Sequence, residues 1–453
     1  MRDTIAAIST PRAPGGIAVI RISGADAVKT ASRVFRCARG PLEAAGPNTA
    51  LYGKIYDSGL LLDEAVALVF HAPKSYTGED VVELSCHGGV YLAARVLRAV
   101  EKAGARPARP GEFTQRAFEN GKMDLTEAES VMRLIGAQSE QGLRAAAAAL
   151  EGALAKRIGD VKERLLAAAA AVAAYIDFPE DDVPALSLAA LRADLADAAG
   201  RLSALLSEYD SGRLLTEGVR TVIAGRPNVG KSALMNLLSG YERSIVTEYA
   251  GTTRDVVSEQ VRIGDLLLNL SDTAGIRETD DLIESMGVER ARRELGAAEL
   301  ILAVFDAGEP LADSDLALLG ECKNRPAVGI VNKTDLPDRR IDEALVGVQI
   351  PFVAMSAKTG EGLDALAEKI AEVLSLREID LSAGVLANER QYSCVLRASQ
   401  AVSEAVSALA GGFTPDVAGV LIDDALAALF ELTGERVTDK VVEEIFSRFC
   451  VGK

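Results

Sequence analysis

The spacing of apolar residues changes character three times along the chain. In the first third, short apolar runs predict strands at IAVIRI (17–22), EAVALVF (64–70) and VVELSCH (81–87). The last run ends in Gly88-Gly89, and VYLAARVLRAVEKAG then predicts a helix that Gly104 closes as a C′ residue. PRAPGG (11–16) and ARPARPGE (105–112) punctuate this region as loops. From Asp124 to Leu215 the period is helical and the texture rich in Ala, Leu and Glu. Two or three long helices are expected, with a strong break at DFPEDDVP (177–184). At Gly218 the pattern becomes strand and helix in alternation: VRTVIAG (219–225), LLLNLSD (266–272), LILAVFD (300–306), AVGIVNK (327–333) and IPFVAMS (350–356). That alternation predicts a parallel α/β sheet. Helical texture returns from Leu381 to Phe449.

The expected architecture is multidomain, α/β plus all-α. An N-terminal α+β domain spans 1–122, and a discontinuous helical domain spans 123–217 plus 381–453. An α/β domain at 218–380 is inserted between the helical pieces, which is tolerated when the inserted domain's ends lie close together.

The inserted region carries the clearest chemistry. Gly225-Arg-Pro-Asn-Val-Gly-Lys-Ser232 matches GxxxxGK[ST] between a strand and a helix, the context a phosphate-binding loop requires. Backbone amides and a helix N-terminus surround phosphates there. Lys231 is placed for the β- and γ-phosphates and Ser232 for Mg²⁺. The run LLLNLSDTAG ends in Asp272-Thr273-Ala274-Gly275, where an Asp can hold Mg²⁺ through water and a Gly amide can meet the γ-phosphate. VGIVNKTD ends in Asn332-Lys333-Thr334-Asp335, and a carboxylate at Asp335 suits the two donors of the guanine edge, a pair adenine lacks. Ser356-Ala357-Lys358 can bring amides to the guanine O6. Between the first two motifs, Thr247-Glu248-Tyr249-Ala250-Gly251-Thr252-Thr253-Arg254-Asp255 offers threonines to a metal and a γ-phosphate. Each string alone has a bland reading as turn chemistry. Their order, each after its own strand, selects a GTPase and GTP over ATP. Ile276 stands where small signalling GTPases place a water-orienting Gln, so another group must orient the water.

Composition fills in this picture. At about 150 residues per domain, 453 residues fit three domains. With no Trp and 4% aromatics, the cores must be built from Ala, Leu, Val and Ile. Cys37, Cys86, Cys322, Cys394 and Cys450 are scattered, with no CxxC, so neither a disulfide framework nor a zinc knuckle is indicated. Two histidines exclude imidazole-rich metal sites. The N-terminal segment lacks the pattern of a signal or transit peptide, and no apolar run is long enough for a bilayer, so a cytoplasmic protein without membrane partners is expected. The net charge of −17 argues against unaided, non-specific nucleic-acid binding. Residues 1–122 nevertheless carry 16 Lys and Arg against 12 Asp and Glu. Arg106, Arg109 and Arg116 in that region leave room for a nucleic-acid partner.

GRPNVGKS, GTTRD, DTAGIRETDDLIE, NKTD and SAK together resemble the tRNA-modification GTPase family MnmE (TrmE). The resemblance extends to DTIAAISTPRAPGGIAVIRISG, to ELSCHGG with GEFTQRAFENGKMDLTEAE, and to Cys450-Val-Gly-Lys453, and so covers essentially the whole chain. It implies an N-terminal tetrahydrofolate-binding and dimerisation domain, a helical domain in two pieces and a Ras-like GTPase insert. It also implies a homodimer acting with an FAD-containing MnmG (GidA) partner as a heterotetramer. The pair adds an aminomethyl-type group, such as carboxymethylaminomethyl, to C5 of the wobble uridine of certain tRNAs.

Carried onto this chain, the resemblance assigns GTP or GDP to Asn228, Val229, Gly230, Lys231, Ser232 and Ala233, to 247–252, to 272–275, to Asn332, Lys333 and Asp335, and to Ser356, Ala357 and Lys358. It assigns Mg²⁺ to Ser232 and Thr253, and K⁺ to Asn228, Thr247, Tyr249 and Thr252. K⁺ would stand in for an arginine finger. Glu284 becomes the water-activating residue. Arg21, Glu83, Lys122 and Lys453 become contacts to 5,10-methylenetetrahydrofolate or 5-formyltetrahydrofolate, and Cys450 a candidate catalytic residue. The bland alternatives are a solvated Arg21 and Glu83, turn chemistry at Lys122, a packed strand-end His87 and a fraying tail at Cys450 and Lys453. The competing functions are a ribosome-assembly or regulatory GTPase of the same group and a folate module with a vestigial GTPase. The first lacks its RNA-binding domain here, and intact Lys231, Ser232, Thr253 and Asp272 speak against the second.

Overall fold

The computed structural model describes residues 3–177, 187–241, 258–264, 266–271, 294–337, 348–374 and 380–453. It divides into two compact units. One comprises Met1–Met132, Leu165–Asp181 and Thr414–Lys453; the other comprises Arg133–Arg164 and Asp182–Phe413.

In the first unit the chain runs β1 (Ile5–Ile8), β2 (Ile17–Ser23), α1 (Ala27–Val34), β3 (Phe35–Cys37), β4 (Thr49–Asp57), β5 (Leu60–Phe70), β6 (Val81–His87), α2 (Val90–Lys102), β7 (Arg106–Pro107) and α3 (Glu112–Glu119). The sheet order is β3-β4-β5-β6-β2-β1-β7, antiparallel except for β1 beside β7. The three expected strands are present, with β5 starting four residues early. The strands β1, β3, β4 and β7 and the helix α1 are not among the expected elements; α1 is amphipathic, with Ala27, Val28, Ala31 and Val34 buried, but only eight residues long. Ala18, Ile20 and Ile22 on one face of β2 share one core with Ala27 and Ala31 of α1 and with Ala93, Val96 and Val100 of α2, so α1 and α2 cover one face of the sheet. Gly104, at φ +125°, follows the end of α2 as its C′ residue.

The Ala-rich stretch from 125 to 217 forms four helices rather than two or three: α4 (Leu125–Gly136), α5 (Glu140–Leu150), α6 (Ala153–Asp177) and α7 (Leu188–Glu217). Besides the expected break after Asp177, the chain breaks at 137–139 and at Glu151-Gly152, where Gly152 takes φ +80°. Ser139 and Ser187 accept the amides of Gly142 and Ala190 and so start α5 and α7. After α7 comes the second sheet, with β8 (Val219–Ala224), α8 (Lys231–Tyr241), β9 (Ser258–Ile263), β10 (Leu266–Ser271), β11 (Leu300–Asp306), α9 (Asp313–Cys322), β12 (Ala327–Asn332), β13 (Phe352–Ala354) and α10 (Leu363–Val373). Its order is β13-β12-β11-β8-β10-β9. All neighbours are parallel except β9, an antiparallel edge strand that the expectation of a wholly parallel sheet missed. Every residue of β11 and β12 is buried, as continuous apolar runs require in a sheet covered on both faces.

Three helices complete the chain: α11 (Glu389–Ala410), α12 (Pro415–Thr433) and α13 (Asp439–Ser447). Within the second unit α11 packs along α7, with the rings of Tyr209 and Tyr392 at 4.6 Å between centroids. Arg157 of α6 donates to Glu208 and to the Gly384 carbonyl, both at 2.8 Å. The helical residues of this unit on the two sides of the inserted sheet therefore pack as one body. Gly218, at φ +84°, turns the chain from α7 into β8; a side chain there would meet the Leu267 carbonyl at 2.9 Å.

Candidate functional site

In a parallel α/β sheet, ligands bind beyond the carboxyl ends of the strands. Those ends carry the predicted motifs. After β8 the loop 225–230 turns into α8 through three left-handed residues, Gly225 (φ +152°), Asn228 (φ +66°) and Gly230 (φ +101°). At Gly225 a Cβ would lie 2.4 Å from the Val304 carbonyl, and at Gly230 it would lie 2.1 Å from Asn332 Nδ2. Sterics thus impose both glycines of the motif. Lys231 opens α8, and its Nζ donates to the carbonyls of Gly225 (2.9 Å) and Arg226 (2.7 Å). Burial pulls its ammonium below the ordinary value, since desolvation disfavours the charged form. Ser232 and Ala233 follow with exposed side chains, and Val229 is buried. An exposed hydroxyl in the first turn of α8, next to the loop amides, is a suitable donor for Mg²⁺.

Asn332, at the end of β12 and 2% exposed, joins the motifs. Its Nδ2 donates to the Val229 carbonyl at 2.9 Å, and its Oδ1 accepts the Ala357 amide at 2.9 Å. Ser356 Oγ donates to Asp335 Oδ1 at 2.8 Å, so one carboxylate oxygen of the exposed Asp335 is held by the following loop. Lys333, in a left-handed conformation (φ +67°), ion-pairs with Asp306 at 2.6 Å. Burial raises the pKa of Asp306, but hydrogen bonds from Lys333 and the Gly308 amide outweigh it and hold the carboxyl below its usual range. Lys358 is exposed. Asn228 to Ala233, Asn332, Lys333, Asp335 and 356–358 are thus brought together. Thr247 to Thr253, Asp272 to Gly275, Ile276 and Glu284 lie outside the described residues, and with them Thr253 of the Mg²⁺ set and Thr247, Tyr249 and Thr252 of the K⁺ set.

Two supports were not foreseen. Asp306 is one; a strand ending in Asp-Ala-Gly was its only signal. The other is Arg226, whose guanidinium pairs with Asp315 (2.8 Å) and Glu309 (3.2 Å) and ties the phosphate loop to the start of α9. Asp315 is 1% exposed.

The N-terminal candidates meet in the first unit. Arg21 and Glu83 are cross-strand partners on β2 and β6, with Nε to Oε1 at 2.8 Å and both side chains mostly buried. Neither is simply solvated. The Arg21 guanidinium lies over the rings of Tyr76 (5.2 Å) and Phe113 (5.6 Å) and reaches the Gly452 carbonyl at 3.4 Å. The C-terminal residues are pinned rather than frayed. Pro110 and Val451 form a β-bridge, Gly111 and Phe113 donate their amides to the carbonyls of Cys450 (3.4 Å) and Lys453 (3.2 Å), and Ser9 Oγ donates to the Gly452 carbonyl at 3.1 Å. Burial and the nearby Arg21 charge both lower the pKa of Lys453. Lys122 is exposed, and its Nζ donates to the Pro73 carbonyl at 3.1 Å. His87 is not a packed strand-end residue. Its ring is largely exposed, with Nδ1 2.8 Å from Asp63.

The arginines read as open to a nucleic-acid partner are not equivalent. Arg116 is 3% exposed and paired with Asp3, Glu79 and Glu112. Arg106 pairs with Asp3 and Glu112, and Arg109 lies 3.6 Å from Glu112. Burial pushes Glu112 upward, but hydrogen bonds from Arg106 and the Arg109 amide, with the charges of Arg106 and Arg116, hold it at about 2. These groups stabilise the unit and leave little for a ligand. Among the described residues no helix is long and apolar enough to cross a membrane, and no cluster of three or more His, Cys, Asp or Glu could hold a metal.

Two family profiles match the chain: the GTP-binding protein TrmE N-terminus over residues 4–122 and the MnmE helical domain over residues 125–450. The tRNA modification GTPase MnmE of Lactococcus lactis subsp. lactis (strain IL1403) is 44% identical over 453 residues, covering 100% of this chain and 98% of that protein. The tRNA modification GTPase MnmE of Symbiobacterium thermophilum is 44% identical over 458 residues, covering 100% and 99%. Among solved structures, the G domain of the T. maritima FeoB iron transporter matches 34% of this chain and 98% of that chain, at 28% identity and a TM-score of 0.26.

Proposed function

Because this chain belongs to the MnmE family of tRNA modification GTPases, we propose that it is the GTP-hydrolysing component of a wobble-uridine modification complex. With an FAD-dependent MnmG-type partner it adds an aminomethyl-type group to C5 of the uridine, drawing a one-carbon unit from a reduced folate. It works in the cytoplasm. The observation that carries the nucleotide part is the Asn332 bridge, which holds the phosphate loop and the 356–358 loop in one frame with Asp335 at its edge. In that frame Lys231 leaves the loop carbonyls to meet the β- and γ-phosphates, and the amides of 228–232 surround them. The free side of Asp335 accepts the guanine N1–H and 2-amino group. Ser232 and Thr253 would hold Mg²⁺, which would supply positive charge to the phosphates. Glu284 orients the water in the absence of a Gln at position 276.

The domains are 1–122 for folate binding and dimerisation, 123–217 plus 381–453 for the helical frame and 218–380 for GTP. The Arg21–Glu83 pair, the Tyr76 and Phe113 rings and Lys453 support a folate site, because a pterin needs a carboxylate for its amino edge, a flat apolar wall and cations for its glutamate tail. Lys122 lines its entrance, and Cys450, next to Lys453, is the candidate for group transfer. Asn228, Thr247, Tyr249 and Thr252 would hold K⁺, which would supply positive charge beside the phosphates where two GTPase domains meet across a homodimer. Replacing sodium by potassium should raise the GTP turnover of the full-length protein at least tenfold. Equal steady-state rates in the two salts would remove K⁺ from the mechanism.

A further inference from the structure

The loop PRAPGG and the turn before α2 have no task in the nucleotide or folate sites. Their backbones pair: the Gly15 amide donates to the Gly88 carbonyl (3.1 Å) and the Gly88 amide to the Gly16 carbonyl (3.3 Å). Gly88 is required by packing, since a Cβ would lie 2.4 Å from the Gly15 carbonyl. Gly15 and Gly16 are not. Neither adopts a left-handed φ, and no atom lies within 4 Å of where a Cβ would stand. A bare glycine pair with no conformational or packing demand leaves backbone open to close approach by another molecule.

Beside these turns lies a cavity of about 270 Å³. Its floor is apolar, with Ile8, Ala93 and Leu97, and its polar lining comprises Arg12, Arg98 and Glu101. Arg12 and Arg98 are exposed and form no ion pair or side-chain hydrogen bond among the described residues, unlike Arg106 and Arg116. Ala18 lines the cavity, whereas Arg21, an odd number of residues along the same strand, faces the other side of the sheet. The cavity is therefore separate from the Arg21–Glu83 site.

Resting on the reading that the chain acts on tRNA, we propose that this cavity seats one nucleotide of the RNA substrate. Arg12 and Arg98 take its phosphate, Glu101 accepts a ribose hydroxyl, and Ile8 and Leu97 cover the apolar edge of the sugar. The neighbouring backbone of the strand passes over Gly15 and Gly16. Two features favour a nucleotide in a chain over a bare anion. Glu101 repels an isolated phosphate but suits a hydroxyl donor, and the floor has no use for a fully hydrated ion. A chain of net charge −17 can then engage RNA through two directed guanidinium groups instead of a broad basic face.

The test is fluorescence anisotropy of labelled tRNA against the full-length protein over a series of KCl concentrations. The double variant R12E/R98E should bind at least tenfold more weakly. Its log-affinity should fall less steeply with log salt, by about 0.7 to 0.9, for the one phosphate that is no longer neutralised. GTP turnover should stay within twofold. The charge-matched control R39E/K74E should bind within threefold of the wild type. Gly15→Leu, whose Cβ would have no atom within 4 Å, should weaken tRNA binding while leaving the thermal midpoint unchanged. Wild-type affinity in R12E/R98E, or an equal loss in the control, overturns the proposal and leaves the tRNA reading standing. Absence of tRNA binding by the wild type overturns both. If uridine monophosphate binds the wild type but not R12E/R98E, while tRNA affinity is unaffected, the cavity takes a free nucleotide and the RNA assignment is wrong.

Discussion

In the sheet of the second unit, each described group proposed for the nucleotide lies at the end of its own strand or in the loop and first helical turn that follow it. Around Arg21 the partners come from Glu83, 62 positions away, and Gly452, 431 positions away. The first site is a set of local turns held in a common frame, and it exists once β8, β11, β12 and β13 lie side by side. The second exists only when a sheet, a helix N-terminus and a chain end have all arrived. The difference predicts where each is vulnerable. The nucleotide site is sensitive to the shape of single backbone positions, and the Arg21 site to whatever fixes the elements around it.

The largest expected effect falls on backbone shape. Gly230→Ala places a methyl 2.1 Å from Asn332 Nδ2 at φ +101°, and the affinity for a fluorescent GDP analogue should fall by more than a factor of about 100. Binding within threefold of the wild type would show that the loop can be reshaped freely. Next comes the ionic cluster under α3. Glu112 has a folded pKa of about 2 against 4.5 for the ordinary side chain, so its contribution is complete above pH 4.5 and is lost as the pH falls towards 2. The loss should be on the order of 3 kcal/mol. Hydrogen exchange at the amides of β2 and β6 should report it, and Glu112→Gln should flatten that dependence while lowering stability at pH 7. A steep dependence that survives the substitution would assign it to other carboxylates. Asn332→Ala leaves the Val229 carbonyl and the Ala357 amide without their partner. A cost of about 2 kcal/mol, roughly 30-fold in GDP affinity, is expected in the same titration, with no change in folate binding. The smallest effect is at Arg21. Arg21→Met should weaken 5-formyltetrahydrofolate binding by about tenfold in calorimetry and leave GDP affinity untouched, because a hydrogen-bonded charge contact of this kind is worth about 1.5 kcal/mol. Loss of both ligands together would show that the two sites are not independent.

The same contrast accounts for what could be read from the sequence. Gly225, Gly230, Asn332 and Ser356 sit where the spacing of motif and strand put them, because a parallel strand that ends in a turn leaves little freedom to the residues just after it. β9 was invisible because its SEQVRI has too weak an alternation to stand out before its partner β10 is known. β1 and β7 are short, and pairing with neighbours rather than their own residues makes them strands. The division of 125–217 into four helices turned on the break at 137–139 and on Gly152, which an Ala-rich pattern conceals. Arg116 has the look of a surface base from its type alone. Only the fold shows it buried against Glu79 and Glu112, since ion pairing between distant positions leaves no periodic trace. Asp306 and Asp315 were missed for the same reason.

The pinning of residues 450–453 against Gly111 and Phe113 also sets a schedule for synthesis. Strands β1 to β7 leave the ribosome early, yet the carbonyls that Arg21, Gly111 and Phe113 require belong to residues made long after them. Roughly 280 residues separate the two parts of the first unit that begin at Met1 and end at Lys453. At about 5 to 20 residues per second, the Arg21 face waits some 15 to 60 s for its final strand of chain. A nascent chain halted before Cys450 would carry a complete phosphate loop and an Arg21 side chain without the Gly452 carbonyl.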